Sequence, residues 1–409
     1  MKQISKITLY SFIFFFIYFI FYYTGIIKFL VLGSTEIFGD YKIFLNALNC
    51  YNLGLSPYDG PQELKCKGFN YGHIILVITP FKNFLTGQYF LLLPVILIIL
   101  FIITVIKLIS PNNYYSNFLC ILCLLNPSTL LLIERLNLDI ILFLTIFILA
   151  LNKLYFLNWF LIIYSFLFKF YPFIFGIIIF LEKQNRKLKE LLFIFLFILS
   201  SSILFLFFFR DEYLLMLKDA KSWKMGLHYL FSIKTIPKVL KEAFSFNYAL
   251  TMLLIYLSYI YLIYKNYSKF ILTNEMNISF QEKLYLLSTN TLLICFLVTS
   301  NPIYREVFII LTIPYILINK NQKIFNTLIN IIIIKFIFSF IYIFFLNLDT
   351  FVHIDGLRVY KPAFLTITFI KGIIDYILMA IIGIITTKMN INILKKIIYE
   401  KKIHKKKQF

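Results

Sequence analysis

Histidine and cysteine are scarce in this chain, and acidic residues are outnumbered two to one. Four histidines and five cysteines are spread over 409 residues. His73, His228, His353 and His404 lie far apart and no H-E-x-x-H occurs, which excludes a zinc-protease helix. Cys120 and Cys123 form a C-x-x-C with no second pair, inside an apolar run, a pattern of packing rather than of zinc or redox chemistry. There is no D-x-D; Asp211 and Glu212 are adjacent instead and read as residues flanking an interface. A metal centre and a cofactor are therefore not expected. An internal repeat and a soluble domain are also lacking.

What fills the chain is hydrocarbon. Hydrophobic residues make up 61% and aromatic residues 20%, where a soluble domain is nearer half apolar. The apolar runs are continuous rather than alternating, so the expected class is all-α, a polytopic transmembrane helical bundle and not a barrel. The run lengths suggest about 10 to 13 spans in a single integral membrane domain, residues 1–409. The first run, residues 7–32, is too long for a cleaved signal peptide and reads as a retained anchor. The net charge of +21 invites a nucleic-acid partner. However, the lysines sit in loops and in the tail at residues 388–409, as positive-inside topology requires, so membrane lipid is the expected partner and nucleic acid is not.

Three polar stretches face the other way: residues 33–73, 210–247 and 347–362. The first of them organises the reading. Asp40 opens it, and Tyr41, Phe44, Leu45, Leu48 and Tyr51 recur at helical spacing, an amphipathic helix expected to lie in the interface with its apolar side toward lipid. Gly54 and Ser56-Pro57 end that helix. Cys50 and Cys66 share the loop; two free thiols are the expectation, and a disulfide is the alternative if the loop faces an oxidising compartment. Further on, Glu134-Arg135-Leu136-Asn137-Leu138-Asp139 forms a polar knot between two apolar runs. Its side of the membrane depends on whether residues 74–85 span or re-enter. Lys169 and Pro172 interrupt the run at 155–181, the sign of a broken helix whose lysine faces protein or water.

These parts, in this order, resemble the GT-C membrane glycosyltransferases, most nearly the polyprenyl-phosphate-mannose-dependent branch, glycosyltransferase family 87. The matching pieces are Asp40 after the first span, Gly54-Leu55-Ser56-Pro57-Tyr58, the aromatic lead Asn70-Tyr71-Gly72-His73, Asn137 in the knot, Lys169-Phe170-Tyr171-Pro172, and Asn301-Pro302-Ile303-Tyr304-Arg305. The family's proline after the aromatic lead is replaced by the neighbourhood of His73, and of its G-Q-x-N segment only Asn137 is kept. The resemblance implies transfer of a hexose (mannose in that branch) from a polyprenyl-phosphate donor to a glycan or lipid acceptor, outside a bacterial plasma membrane, with inversion.

Such a reaction needs one base near the acceptor and cations near the departing phosphate. Asp40 is the expected base, with a helix-capping role as its alternative. Arg305, Lys169 and Tyr304 are expected at the donor phosphate; an interface anchor paired with Glu306 is the alternative for Arg305, and Asp139 is the alternative partner for Lys169. Asn137, Asp139, Arg135, Tyr58, Tyr71, His73 and Arg358 are the remaining candidates for substrate contact. A polytopic transporter or flippase of lipid-linked glycans is the rival class, which intramembrane Lys169 and Asp139 would suit. An O-antigen-type polymerase is a third reading, lacking its large late loop.

Overall fold

The computed structural model describes residues 2–30, 38–59, 61, 63, 65–66, 69, 71–78, 91–152, 154–169, 171–176, 188–215, 227, 230–268, 278–298, 301–347, 351–354 and 357–406. Asn70, Lys153 and Trp223 lie outside them, as does the side chain of Arg358. The architecture is an all-α bundle with two small two-stranded ribbons. In chain order the helices are α1 Lys2–Tyr23, α2 Ile27–Leu30, α3 Gly39–Asn52, α4 Ile74–Ile78, α5 Leu92–Ile109, α6 Tyr114–Leu125, α7 Pro127–Arg135, α8 Asp139–Leu151, α9 Tyr155–Phe168 and α10 Leu188–Phe208. After strand β1, Leu230–Phe231, come α11 Thr235–Phe244, α12 Tyr248–Asn266 and α13 Phe280–Leu297. Strand β2, Asn301–Pro302, leads into a 3-10 segment, Ile303–Thr312, then α14 Ile313–Ile318 and α15 Lys323–Asn347. Strands β3 Phe351–Ile354 and β4 Leu357–Tyr360 form a hairpin before the long α16, Pro362–Lys406.

Five of these helices are long and apolar enough to cross a membrane, or six when the bent pair α6–α7 is counted as one span. The 10 to 13 spans expected from run lengths include runs that lie partly outside the described residues, at 79–85 and 177–181. Among the described residues several runs are short or bent. The Asp139–Leu151 and Phe156–Phe168 helices are only 13 residues each, cut short by the knot and by Lys169. The run at 118–133 bends by 43° at Asn126-Pro127. Pro127 removes a donor from the ladder and disfavours helix before it. Asn126 caps the new helix by accepting from the Ser128 amide, and Thr129 Oγ1 donates to the Cys123 carbonyl, so two backbone groups at the break find side-chain partners.

The segment after β2 is short in α-helical terms but stretched. Its 3-10 part has 10 residues and α14 has 6. At about 2.0 and 1.5 Å per residue these reach roughly 29 Å, close to the ~30 Å of a hydrocarbon core. The outside of the bundle is apolar: Phe12, Phe16 and Phe19 on α1, Phe193 and Phe207 on α10, and Leu253 and Leu257 on α12 are all exposed. Large apolar side chains exposed on three helices mark a surface that meets lipid or another apolar partner.

Two contacts fix the ends of the bundle. Lys6 Nζ donates to Pro111 O and Asn112 Oδ1, placing the start of α1 beside the α5–α6 turn. At the other end the Phe38 amide donates to Glu134 O, so the first polar loop and the knot share one end. The knot therefore lies beside residues 38–73; the remainder of the run at 74–85, from residue 79 on, lies outside the described residues. Lys169 does end α9, and a 3-10 turn at Tyr171–Gly176 follows it.

Helix α3 departs from expectation. Its apolar stripe does not face outward: Tyr41, Phe44 and Leu48 are at most 2% exposed, and Leu45 and Tyr51 are half-buried. The stripe packs into the protein beside α4 and α7. The end of α3 is as read, with Gly54 at φ +71. The cysteines of this loop also differ from expectation, because Cys50 and Cys66 form a disulfide. The first turn of the loop brings the two thiols together once Gly54 reverses the chain.

Candidate functional site

The knot is a helix end and a helix start with almost nothing between. Helix α7 closes on Leu136 in the left-handed region (φ 42), whose amide donates to Ile133 O while the Asn137 amide donates to Leu132 O. A β-carbon makes that conformation costly, and burial of the Leu136 side chain holds it. The turn throws Arg135 and Asn137 onto the same carboxylate. Arg135 donates from Nε (3.0 Å) and Nη2 (2.6 Å) to Asp40 Oδ1. Asn137 Nδ2 donates to Asp40 Oδ2 at 2.5 Å, and Asn137 Oδ1 accepts from the Asp139 amide at 2.9 Å. That pair of bonds fixes which way the Asn137 amide points.

Asp40 sits in the first turn of α3, whose N-cap Phe38 is left-handed (φ 60) and makes no side-chain cap bond. The capping role considered for Asp40 is not what the carboxylate does: its hydrogen bonds go to Arg135 and Asn137. Asp139 holds two cations side by side. Its Oδ1 accepts from Lys169 Nζ at 2.5 Å and its Oδ2 from Arg305 Nε at 3.2 Å. The Lys169 ammonium also lies 4.5 Å from the centre of the Tyr71 ring, a cation–π contact. Tyr71 in turn stacks on Phe168 at the end of α9. Tyr304 lies among Asp139, Asp40, Arg305 and Arg135, close enough to feel all four charges.

One glycine makes this closure possible. The Gly72 amide donates to Phe168 O, and a Cβ at Gly72 would lie 1.7 Å from Leu167 O. Only a residue without a side chain lets the loop lie against the end of α9 and hold Tyr71 over Lys169. Tyr58 supports the same stretch by donating to the Tyr71 carbonyl. His73 is buried among the rings of Tyr51, Tyr58 and Phe209. Burial lowers its pKa, and the Glu212 carboxylate nearby raises it by less. His73 thus belongs to an aromatic wall of the loop rather than to the ionic cluster. The backbone of Arg358 pairs with His353 in the β3–β4 hairpin.

Seven candidates from four separated stretches therefore meet at one end of the bundle: Asp40, Arg135, Asn137, Asp139, Lys169, Tyr304 and Arg305. Tyr71 joins them. The five ionised groups are two carboxylates and three cations. The carboxylates differ in access: the Asp40 side chain is 11% exposed and that of Asp139 is 0%. Of the two, Asp40 is therefore the carboxylate within reach of solvent or a ligand, while Asp139 is enclosed between its cations. No group of three or more His, Cys, Asp or Glu side chains suited to a metal occurs among the described residues.

Glu306, the alternative partner considered for Arg305, is held elsewhere. Glu306 turns to the opposite side of the 3-10 segment, where it accepts from Lys335 and Lys371 at 3.0 Å each. Asp375 completes a quartet, accepting from Lys371 at 2.6 Å and from Lys335. Sequence reasoning passed over this cluster. The signal was present, since Lys335, Lys371 and Asp375 are ionisable residues inside long apolar runs. Comparison with family models, curated proteins and solved structures finds no match to the chain.

Proposed function

We propose that the chain is a multi-pass glycosyltransferase of the bacterial plasma membrane, of GT-C type, that moves a hexose from a polyprenyl-phosphate donor to a glycan or lipid acceptor on the outer face. The observation that carries this reading is the meeting of Asp40 with the Asp139–Lys169–Arg305 group at one end of an apolar bundle. Asp40 accepts the proton of the acceptor hydroxyl. That oxygen forms the new bond to the anomeric carbon from one side as the bond to the phosphate oxygen breaks on the other, which inverts the centre. The electron pair leaves with the polyprenyl phosphate, whose charge Lys169 and Arg305 stabilise. Asp139 holds these cations on its two oxygens, so they stand a carboxylate's width apart, a spacing that suits two oxygens of one phosphate. The disulfide supports an oxidising, extracytoplasmic side for the loop that carries Asp40. The mostly apolar exterior suits a donor whose lipid tail stays in the bilayer.

A transporter of lipid-linked glycans is the second reading, favoured by the ionised quartet in the bundle interior. Purified protein in vesicles, given labelled polyprenyl-phosphate mannose with membrane acceptors in the presence of chelator, separates the two. Label in a new glycosidic bond supports the transferase; label that only changes leaflet contradicts it.

A further inference from the structure

The two ionic clusters share one backbone. Arg305 and Glu306 are consecutive residues of the 3-10 segment at Ile303–Thr312. With three residues per turn, neighbouring side chains leave such a helix about 120° apart, so one charge goes to each side. Arg305 meets Asp139, and Glu306 enters the quartet with Lys335, Lys371 and Asp375. The quartet is neutral and closed: each carboxylate holds both lysines. Their side chains are at most 4% exposed. It also ties in the neighbours of the site. Ser128 Oγ at the start of α7 donates to Glu306 Oε2 at 3.2 Å, and Lys371 Nζ donates to Leu230 O at 3.2 Å, in the strand paired with Asn301–Pro302.

Buried ion pairs of this kind are poor sources of stability, since apolar groups of the same volume often serve as well or better; their best-attested use is to fix one arrangement against its alternatives. A slip of the 3-10 segment by one residue would carry Glu306 out of the quartet and Arg305 away from Asp139 together. We propose that Glu306, Lys335, Lys371 and Asp375 form a register lock, and that they are positioning residues for Arg305. The inference rests on Arg305 as a phosphate-binding residue for its consequence, and on geometry alone for the lock.

The test pairs a charge-balanced variant with two readouts. Lys371→Met combined with Asp375→Leu removes one charge of each sign and three of the four ion-pair contacts, leaving Glu306 with Lys335. The lock predicts that this protein keeps its thermal midpoint, while peptide-resolved phenylglyoxal labelling of Arg305 speeds up and the KM for polyprenyl-phosphate mannose rises, each about tenfold, with kcat nearly retained. Wild-type labelling and KM at a wild-type midpoint would overturn the lock and leave the quartet as simple packing. Should the double variant fail to fold, Ser128→Ala, which keeps every charge, gives the smaller form of the same test: faster Arg305 labelling supports the lock, and no change overturns it. Inorganic phosphate is the separate control. If it does not protect Arg305 in the wild type, the phosphate-site reading fails, while labelling without phosphate still decides the lock.

Discussion

The two carboxylates at the site have different work, and single substitutions separate them. Asp139 is fully buried between Lys169 and Arg305. Asp139→Asn leaves two cations facing each other without their shared anion. The expected cost is about 3–5 kcal/mol, the range for breaking a buried ion pair, read as a lower thermal midpoint in detergent; an unchanged midpoint would show that the pairs are not formed. His73 adds a pH dependence. Its folded-state pKa is lowered by burial, so below about pH 6.5 the unfolded chain binds the proton more readily and stability falls with pH, by at most about 1.4 kcal/mol per unit. The sign follows because the unfolded state holds more protons in that window. Replacing His73 with Phe keeps the aromatic wall, and the thermal midpoint should then lose this part of its slope between pH 7 and 5.

Among the elements, the docking of residues 38–73 onto α9 depends on Gly72. Gly72→Ala places a methyl carbon where Leu167 O now stands. The loop must lift, taking Tyr71 off Lys169, at a cost of at least about 2 kcal/mol. Faster proteolysis within residues 38–73 and loss of transfer should appear together; wild-type resistance would contradict the packing. At this scale the sequence was legible where a single residue type leaves a local mark. Gly54 ended α3, and Lys169 with Pro172 marked the broken run. The direction of the α3 stripe was not legible, because an apolar face has the same periodicity whether it meets lipid or protein. The disulfide was not legible either, since the approach of Cys50 to Cys66 depends on how the chain turns between them. The lysine partners of Glu306 are 29 and 65 residues further along the chain, on two different helices, a distance that no local pattern spans.

For the whole molecule, the account puts the site at one end of the bundle and the α5–α6 turn at the other. Single cysteines at Ser245 and Tyr114, both exposed, should label from opposite faces of sealed vesicles; labelling from one face would contradict the arrangement. The order of weak motifs along the chain made the gathering of Asp40, Asn137, Lys169 and Arg305 legible before any geometry, whereas Asp139 as the hub between the cations needed the fold. The central claim, that Asp40 performs chemistry at this end of the bundle, has one direct measurement. Transfer from labelled polyprenyl-phosphate mannose is compared in washed membranes with chelator, for the wild type and for Asp40→Asn at equal expression and equal thermal midpoint. The account predicts that transfer falls by about 10²–10⁴-fold with the KM for donor little changed. Equal transfer by both proteins would contradict it.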